Sequence, residues 1–457
     1  MRSSSSQGSA RDQQQSGSGK SLTIGVRIVA ILIFLTLSAC AFSESPRPTQ
    51  YFVAPWGSDS ARGTFDRPWA SLKPVERRGR PGDTIFLRGG VYDEVGKNVY
   101  QGPIQFSGTA DEPITVMSYP GEWAIFDGGK HPHHPRTFGD GHSVSGPNVL
   151  RFYGENVVWE RMTFRHGVGR AFFITANHGV FRDIVSHDNH SDGLYLEGSD
   201  NLFERITSFN NHSVANGGNS ADGMKMVDGE RVRIVFGRDA ETRGNVIRYA
   251  LFYNNSDDGL DVWDSWDTLV EYSLSFDNGY GPTGSGMGFK LGGGLRHGTG
   301  TVARFNVAFG NVSNFDANAS TGVTMYHNTS WNARDIGFIL RDQSETGGNV
   351  AHNNISFQDH VAVSDNHLTV QSHNSWNVGI DDPRFVTLDP SSPDFLMLAS
   401  GSPAVDAGRD LGYAYDGEAP DLGAVPYGAR LPITAEAVLS SIDDLRRFSA
   451  SLQMRLH

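Results

Sequence analysis

The sequence predicts an all-β fold: a right-handed parallel β-helix with a C-terminal amphipathic helix. Three observations support this prediction: a composition typical of loop-rich β proteins, a repeat of about 22 or 23 residues, and a column of asparagines that follows the repeat. With 457 residues, 54 glycines and 11% aromatic residues, the chain is long enough for a large core and rich in turns.

The repeat is visible after residue 150 as a small residue, an aromatic residue and a polar residue, often followed by asparagine. The aromatic position is occupied in succession by Phe164, His187, Phe209, Tyr253, Phe276, Phe309, Trp331 and Phe357. Two residues further on, the same alignment gives Asn189, Asn211, Asn255, Asn278 and Asn311. Stacked coils place equivalent residues about 4.8 Å apart, so buried rings can stack and amides can hydrogen-bond along each column. We therefore interpret both columns as structural.

The two ends of the repeat region can also be assigned. Strand-like runs at 84–87, 114–117 and 149–152 are separated by Gly, Pro and Asp turns, so the β-helix domain is expected to span 51–430. Residues 431–457 carry apolar side chains at helical spacing, which predicts a helix that caps or braces the coils.

The first 50 residues are typical of a targeting segment followed by a linker, 41–50. Residues 1–20 are rich in Ser, Gln and Gly, and the apolar run 25–37 follows basic residues, as in a signal peptide. The sequence LSAC that ends at Cys40 resembles the bacterial lipobox, in which the cysteine is lipidated. We expect a signal peptide over 1–40, lipidation of Cys40, and a location outside the cell or on the outer face of the bacterial envelope. An ordinary cleaved signal or an uncleaved anchor is the alternative.

Charge and cysteine content exclude some classes of partner. The net charge of −13 argues against nucleic acid, because phosphate binding relies on clusters of Lys and Arg. Cys40 is the only cysteine, so a mature domain forms no disulfide and depends on core burial for its stability. We expect a monomer that contacts a membrane only through an N-terminal lipid. Because the chain is itself acidic, binding of an acidic substrate would require a bound cation to supply positive charge.

A dense group of carboxylates marks the candidate site. The stretch NNSDDGLDVWDS, residues 254–265, contains Asp257, Asp258 and Asp261, and alignment of the Asp-Gly pairs places Asp222 beside Asp258. Carboxylates this close repel one another and raise one another's pKa unless a cation, arginines or water relieves them. Four oxygen ligands on a rigid sheet suit Ca²⁺ better than zinc, whereas ordinary turn chemistry explains so many neighbouring anions poorly. These four aspartates are therefore the predicted calcium ligands.

Lys290, in the segment GMGFKLGGG, is the candidate base. The alignment predicts one column that contains Tyr195, Lys225, Asp261 and Lys290. Only six of the 38 basic residues are lysines, so two lysines in this column are unexpected by chance. A lysine whose pKa is lowered can lose its proton and act as a general base, which arginine cannot do. A merely solvated lysine is the alternative interpretation.

These residues resemble polysaccharide lyase family 9, the calcium-dependent pectate lyases built on a right-handed parallel β-helix. The similarity runs from Tyr51 to about Gly428, and its most specific part is Asp-Asp-Gly-x-Asp followed one coil later by Gly-Phe-Lys-Leu-Gly. The resemblance implies that the four aspartates bind Ca²⁺ and that Lys290 removes the C5 proton of a uronate, with loss of O4 by β-elimination. By position alone, the candidate substrate contacts are Lys225, Arg296, His297 and Arg304.

Two departures from the family pattern bear on the identity of the polymer. Leu260 stands where the family often has an aromatic residue, and Met287 stands where a polar residue is expected; both are predicted to border the groove. A lyase for another uronate polymer such as alginate is one alternative, and a hydrolase with paired carboxylates is another. The expected hydrolase motifs Gly-His-Gly and Arg-Ile-Lys do not occur in the sequence. From a different class, a surface β-helix could bind glycans without cleaving them.

Overall fold

The computed structural model describes residues 49–93, 102–129, 148–213, 217–228, 241–294, 300–341, 348–366 and 369–432. The predicted signal peptide and Cys40 lie outside these residues, and so does the predicted C-terminal helix from residue 433 onward. The described part of the chain forms 32 strands and two one-turn helices, α1 (Val75–Arg78) and α2 (Ser375–Val378). None of its helices is long and apolar enough to cross a membrane.

The strands are short and alternate with turns. The first sixteen are β1 (Gln50–Val53), β2 (Thr84–Leu87), β3 (Gly90–Tyr92), β4 (Ile104–Gln105), β5 (Ile114–Ser118), β6 (Ala124–Asp127), β7 (Leu150–Glu155), β8 (Val157–Arg165), β9 (Phe172–Asn177), β10 (Val180–His187), β11 (Leu194–Glu197), β12 (Leu202–Glu204), β13 (Thr207–Phe209), β14 (Met224–Met226), β15 (Thr242–Arg243) and β16 (Val246–Arg248). The others are β17 (Leu251–Tyr253), β18 (Leu260–Val262), β19 (Ser265–Trp266), β20 (Leu269–Glu271), β21 (Leu274–Phe276), β22 (Met287–Lys290), β23 (Val302–Arg304), β24 (Val307–Phe309), β25 (Ser313–Asp316), β26 (Thr324–Tyr326), β27 (Thr329–Trp331), β28 (Ile336–Ile339), β29 (Val350–His352), β30 (Ile355–Phe357), β31 (Val361–Ser364) and β32 (Val370–Ser372).

Thirty of these strands stack into three parallel ladders, and β15 and β19 pair separately. One ladder is a ten-stranded sheet, in the order β4, β7, β9, β11, β14, β18, β22, β25, β28, β31. The other two form a twenty-stranded sheet, because the long strands β8 and β10 take part in both. Parallel crossovers are almost always right-handed, so this architecture is the predicted right-handed parallel β-helix. The strands predicted at 84–87, 114–117 and 149–152 correspond to β2, β5 and β7.

Each strand directs alternate side chains into a common core. In β17, Phe252 is fully buried in the main core, whereas Leu251 and Tyr253 belong to an outer cluster. The C-terminal segment, residues 379–432, covers that outer cluster, and the rings of Phe395 and Phe309 pack edge to face with their centroids 5.3 Å apart. Burial of such a side chain is worth about 1.5–3 kcal/mol, so this covered face stabilises the coils.

The predicted aromatic column is present, with one error of register. The rings that stack at centroid distances of 4.7–4.9 Å are His187, Phe209, Tyr253, Phe276 and Phe309. Phe164 does not belong to the column, because it pairs with Ser186 instead of His187 and packs inward against Phe172 at 4.4 Å. Arg165 occupies the outward position in that coil. The column lies outside the main core, and its part from Tyr253 to Trp331 packs beneath the C-terminal segment.

The predicted asparagine column is confirmed as a hydrogen-bonded ladder. Asn189 Nδ2 donates to Asn211 Oδ1 at 2.8 Å, and Asn211 Nδ2 donates to Asn255 Oδ1 at 2.9 Å. The same contact continues through Asn278 to Asn311. A second ladder, which was not predicted, consists of Asn306, Asn328, Asn354 and Asn374. In both ladders, the side-chain amide in the bend of one coil hydrogen-bonds to the equivalent amide of the next coil.

Candidate active site

One outward column of the ten-stranded sheet concentrates charged side chains. Backbone pairing aligns Tyr195, Lys225, Asp261, Lys290 and Asp316 on β11, β14, β18, β22 and β25. The first four form the column predicted from the sequence. Adjacent strands lie about 4.8 Å apart, so successive members are close enough to interact. The inward neighbours on these strands are fully buried, which fixes the direction of the charged side chains.

A second column lies two residues before the strands of this sheet. It consists of Asp192, Asp222 and Asp258, which precede β11, β14 and β18. The Asp222 amide donates to Asp192 Oδ1 at 3.3 Å, and the Asp258 amide donates to Asp222 Oδ1 at 3.0 Å. The main chain of each coil therefore positions the carboxylate of the coil before it.

Three aspartates from the two columns converge. Asp222, Asp258 and Asp261 are buried, and each contributes one carboxylate oxygen to a group whose members all lie within 4.8 Å of one another. Among the described residues, Asp261 Oδ1 is buried without a hydrogen-bond partner. An unsatisfied buried acceptor costs about 1–3 kcal/mol, or more when it is charged. The donor set is entirely carboxylate, so a hard cation such as Ca²⁺ fits it.

Asp257 lies beside this group and not within it. Its carboxylate accepts hydrogen bonds from the amides of Ser220 and Ser285, both at 2.6 Å. The two serines belong to segments 217–221 and 279–286, which flank the ten-stranded sheet. Asp257 therefore joins the two segments, and its role as a fourth calcium ligand stays a prediction.

Both lysines of the column contact the aspartates. Lys225 Nζ lies 2.5 Å from Asp261 Oδ2 and 3.1 Å from Asp222 Oδ2. Lys290 Nζ lies 3.1 Å from Asp258 Oδ2 and 3.4 Å from Asp261 Oδ2. If all groups are ionised, the four predicted ligands and the two lysines leave two negative charges in excess, which one divalent cation would balance.

Burial shifts the ionisation of this cluster. It raises the pKa of Asp222 well above its usual range despite the nearby Lys225, and it raises the pKa of Asp258 to about 6. Burial by itself lowers the pKa of Lys290, but the charges of Asp258 and Asp261 outweigh it and raise that pKa above its ordinary value. The carboxylates therefore hold the lysine in its protonated form when no other cation faces them.

Sequence reasoning missed two residues that the structure brings to this site. Asp316 follows Lys290 in the outward column, and burial raises its pKa to about 6. Trp263 is 38% exposed, and its ring centroid lies 5.4 Å from Lys290 Nζ. Trp263 comes two residues after Asp261, so the alternation of a strand places both on the same side. This alternation could have identified Trp263 from the sequence.

The structure does not bring every predicted substrate contact to the site. Lys225 is present, as described above, but Arg304 ends β23 in the twenty-stranded sheet and contacts Glu271 at 2.6 Å. That position corrects the prediction for Arg304, because it lies on a different ladder from the aspartates. Arg296 and His297 lie outside the described residues.

The two departures from the family pattern also occupy different environments. Leu260 is fully buried in the main core, so it does not border the groove as expected. Met287 does lie at the site, where its amide donates to Asp258 Oδ1 at 2.7 Å. Of the two, only Met287 can therefore influence the groove directly.

A cavity of about 720 Å³ lies away from the aspartate group. It is lined by Phe305, His327, Tyr413 and other residues of the C-terminal segment, and by none of the site's aspartates or lysines. The aspartate group instead occupies the outer face of a sheet, where an extended polymer could pass along the strands' outward columns.

The fold and the site together define a parallel β-helix polysaccharide lyase. Residues 51–354 match the family described as Pel9A-like, right handed beta helix region. The chain belongs to this family, which confirms the predicted family and handedness.

Proteins named as pectate lyases are similar to this chain over most of its length. Pectate lyase L of Dickeya chrysanthemi is 30% identical over 406 residues, which cover 82% of this chain and 89% of the relative. Pectate lyase PEL9 of Emericella nidulans is 29% identical over 377 residues, 74% of this chain and 87% of the relative. The crystal structure of pectate lyase Pel9A is similar with a TM-score of 0.70 and 26% identity, and covers 84% of this chain and 97% of that one. A rhamnogalacturonan lyase with a TM-score of 0.63 and 23% identity shares the fold.

Proposed function

We propose that this lyase cleaves pectate, a polygalacturonate, by calcium-dependent β-elimination with Lys290 as the base. The observation that carries the proposal is the convergence of Asp222, Asp258 and Asp261, with Lys290 Nζ 3.1 Å from Asp258. The relatives named as pectate lyases support the choice of polymer.

Asp222, Asp258 and Asp261 would hold the calcium ion, with Asp257 as a predicted fourth ligand. The unpaired Asp261 Oδ1 and the two negative charges in excess are the features of this chain that fit a divalent cation. When bound, Ca²⁺ supplies positive charge that neutralises a uronate carboxylate and so acidifies the neighbouring C5 proton.

The position of Lys290 suits the role of base. Its side chain is 14% exposed, and burial disfavours its charged form. Once the charges of Asp222, Asp258 and Asp261 are balanced, burial and the positive charge of Lys225 remain, and both lower the pKa of Lys290 and favour a neutral amine. Lys290 Nζ then accepts the C5 proton, the electron pair forms the C4–C5 double bond, and O4 leaves with the departing chain.

The test is to follow ultraviolet absorbance while the protein acts on polygalacturonate, with calcium or with a chelator. The proposal predicts a rise from the unsaturated product that requires calcium and is lost in Lys290→Ala. A rise on alginate or rhamnogalacturonan but none on polygalacturonate would change the polymer and keep the reaction. Soluble fragments without absorbance would indicate hydrolysis, and binding without cleavage would indicate a glycan-binding protein.

The proposed setting is outside the cell or on the outer face of the bacterial envelope, where a monomeric lyase would meet its polymer. Residues 1–40 and Cys40 support this setting through their signal and lipobox patterns. Cell fractionation of wild type and Cys40→Ser tests it: the variant should move from the membrane fraction to the soluble fraction. Identical distribution of the two proteins would contradict lipid anchoring.

A further inference from the structure

Both columns of the active site continue into earlier coils, where arginines replace the carboxylates. Arg151, Phe173 and Tyr195, on β7, β9 and β11, precede Lys225 in the outward column. Arg170 lies two residues before β9, so it extends the column of Asp192, Asp222 and Asp258 by one coil. The same two columns therefore carry arginines at one end and aspartates further along.

Arg170 is held in one orientation by groups that belong to the active site. Its Nε donates to Asp192 Oδ2 at 2.9 Å, and its guanidinium carbon lies 3.7 Å from the centroid of the Tyr195 ring. Asp192 is 1% exposed, and its other oxygen accepts the Asp222 amide. Arg170 is thus tied through one buried carboxylate to a predicted calcium ligand.

The guanidinium keeps hydrogen-bonding capacity for a ligand. Within the described residues, the bond to Asp192 uses Nε, and the two terminal nitrogens of Arg170 have no assigned acceptor. The Arg170 side chain is 34% exposed. An arginine fork presents parallel donors that match a carboxylate, and Tyr195 stacking fixes its plane.

A second arginine adds positive charge beside the first. The guanidinium carbons of Arg151 and Arg170 lie 5.2 and 5.7 Å from the centroid of the Phe173 ring. Asp192 and Glu197 offset part of the charge of Arg170. Two neighbouring arginines on the substrate face of a chain with a net charge of −13 point to an acidic ligand.

We propose that Arg170, with Arg151 beside it, forms a subsite for the carboxylate of a uronic acid unit other than the one that is cleaved. Arg170 lies two strands before Asp222 in their shared column, which separates the subsite from the nearest predicted calcium ligand by roughly 10 Å. The inference rests on the proposed function and deepens it, because it assigns selection for acidic, unesterified units to a residue outside the reacting centre.

Steady-state kinetics of Arg170→Gln on polygalacturonate test this subsite. Loss of one charge-assisted carboxylate contact should raise KM about tenfold, with kcat changed less than twofold. Arg170→Lys should recover part of the loss, since lysine keeps the charge without the fork. Arg205→Gln is the matched control: Arg205 is an exposed arginine in the turn between β12 and β13, paired with Asp183 of β10 at 2.6 Å, and the KM of this variant should stay at the wild-type value.

Binding without turnover provides an independent measurement. Calorimetric titration of an oligogalacturonate into Lys290→Ala should give an affinity about tenfold higher than titration into Lys290→Ala/Arg170→Gln. Equal affinities and an unchanged KM would refute the subsite, and so would a fall in kcat with unchanged KM, which would assign Arg170 to holding Asp192. If wild type releases no unsaturated product from any uronate polymer, the proposed function fails, while this titration still decides whether Arg170 binds a uronate.

Discussion

The ten-stranded sheet and the outer aromatic column are built from the same coils, yet their outward residues differ completely. In the aromatic column, Tyr253 and Phe276 stack at 4.9 Å and are covered by the C-terminal segment. In the ten-stranded sheet, Asp261 and Lys290 occupy the corresponding outward column as a cluster of charges. The inward residues of the ten-stranded sheet are apolar and buried, and those behind the aromatic column are buried and either apolar, such as Phe252, or small, such as Ser275. Coil formation therefore depends on the inward residues. The outward residues determine whether a face stabilises the fold or forms the candidate active site.

The energetic contrast follows from this division. Aromatic rings stack on one another, and asparagine amides hydrogen-bond to one another. Each added coil therefore adds favourable contacts to the face that the C-terminal segment covers. The aspartates instead repel one another in a buried setting, and the raised pKa values of Asp222 and Asp258 show the cost of ionising them. We expect substitutions on the two faces to have opposite consequences for activity and stability.

The largest effect should come from Asp261→Asn. It removes a carboxylate from the centre of the aspartate group while keeping its shape, so the initial rate with calcium should fall roughly 100-fold or more. In chelator, thermal unfolding should occur at the same or a higher temperature, because the substitution reduces the excess negative charge of the cluster and the two lysines keep Asp222 and Asp258 as partners. An initial rate equal to that of wild type, or a clearly lower unfolding temperature in chelator, would contradict the assignment of catalysis to this face and of stability to the covered face.

The reverse pattern is expected for Asn328→Ala in the second asparagine ladder. Asn328 is buried, donates to Ala303 O at 2.9 Å and to Asn354 Oδ1 at 3.0 Å, and accepts from Asn306. Loss of these bonds should lower the free energy of unfolding by about 3 kcal/mol. Denaturant unfolding measures this change, and the rate per folded molecule at 25 °C should equal that of wild type. A large loss of activity without loss of stability would contradict a purely structural role.

Stability in chelator should depend on pH because of the buried aspartates. The pKa values of Asp258 and Asp316 are raised to about 6, so the folded state binds protons more tightly than the unfolded state between about pH 4 and pH 6. The melting temperature in chelator should therefore fall as pH rises through this range. Calcium should raise it more at pH 7 than at pH 5, since protons compete for the ligands. A melting temperature in chelator that rises between pH 4 and pH 6 would contradict this assignment.

The smallest effect is expected from Trp263→Ala. The exposed ring lies beside Lys290 Nζ, and an exposed cation–π contact is worth about 0.5–1 kcal/mol. We expect kcat/KM to fall roughly fivefold when this ring and its contact surface for a sugar are removed. Trp56→Ala is the matched control, because Trp56 is 64% exposed near the first coil. Equal effects of the two substitutions would show that Trp263 has no special role.

The sequence predicts the columns well where the coil length is regular. Lys225, Asp261 and Lys290 align because each follows a Gly at the same distance, and backbone pairing confirms that alignment. Phe164 was misplaced by one residue in the long strand β8, and such a slip moves a side chain to the other face. Arg304 was misplaced because position along the chain does not reveal which of three ladders a strand joins.

The exact membership of the carboxylate group also required the structure. Asp257 and Asp258 are adjacent, and neighbouring residues rarely point in the same direction. Asp258 joins Asp222 and Asp261, whereas Asp257 turns to the amides of Ser220 and Ser285. These amides belong to loops whose closure depends on contacts distant in sequence, so periodicity could not predict them.

Calorimetric titration of calcium into the chelator-treated protein tests the central claim most directly. We predict that wild type binds one ion per chain and that Asp222→Asn loses this binding while it keeps its fold. Asp183→Asn, on the twenty-stranded sheet, should bind as wild type does. No binding to wild type, or binding that survives in Asp222→Asn, would contradict a calcium site formed by the aspartates of the ten-stranded sheet.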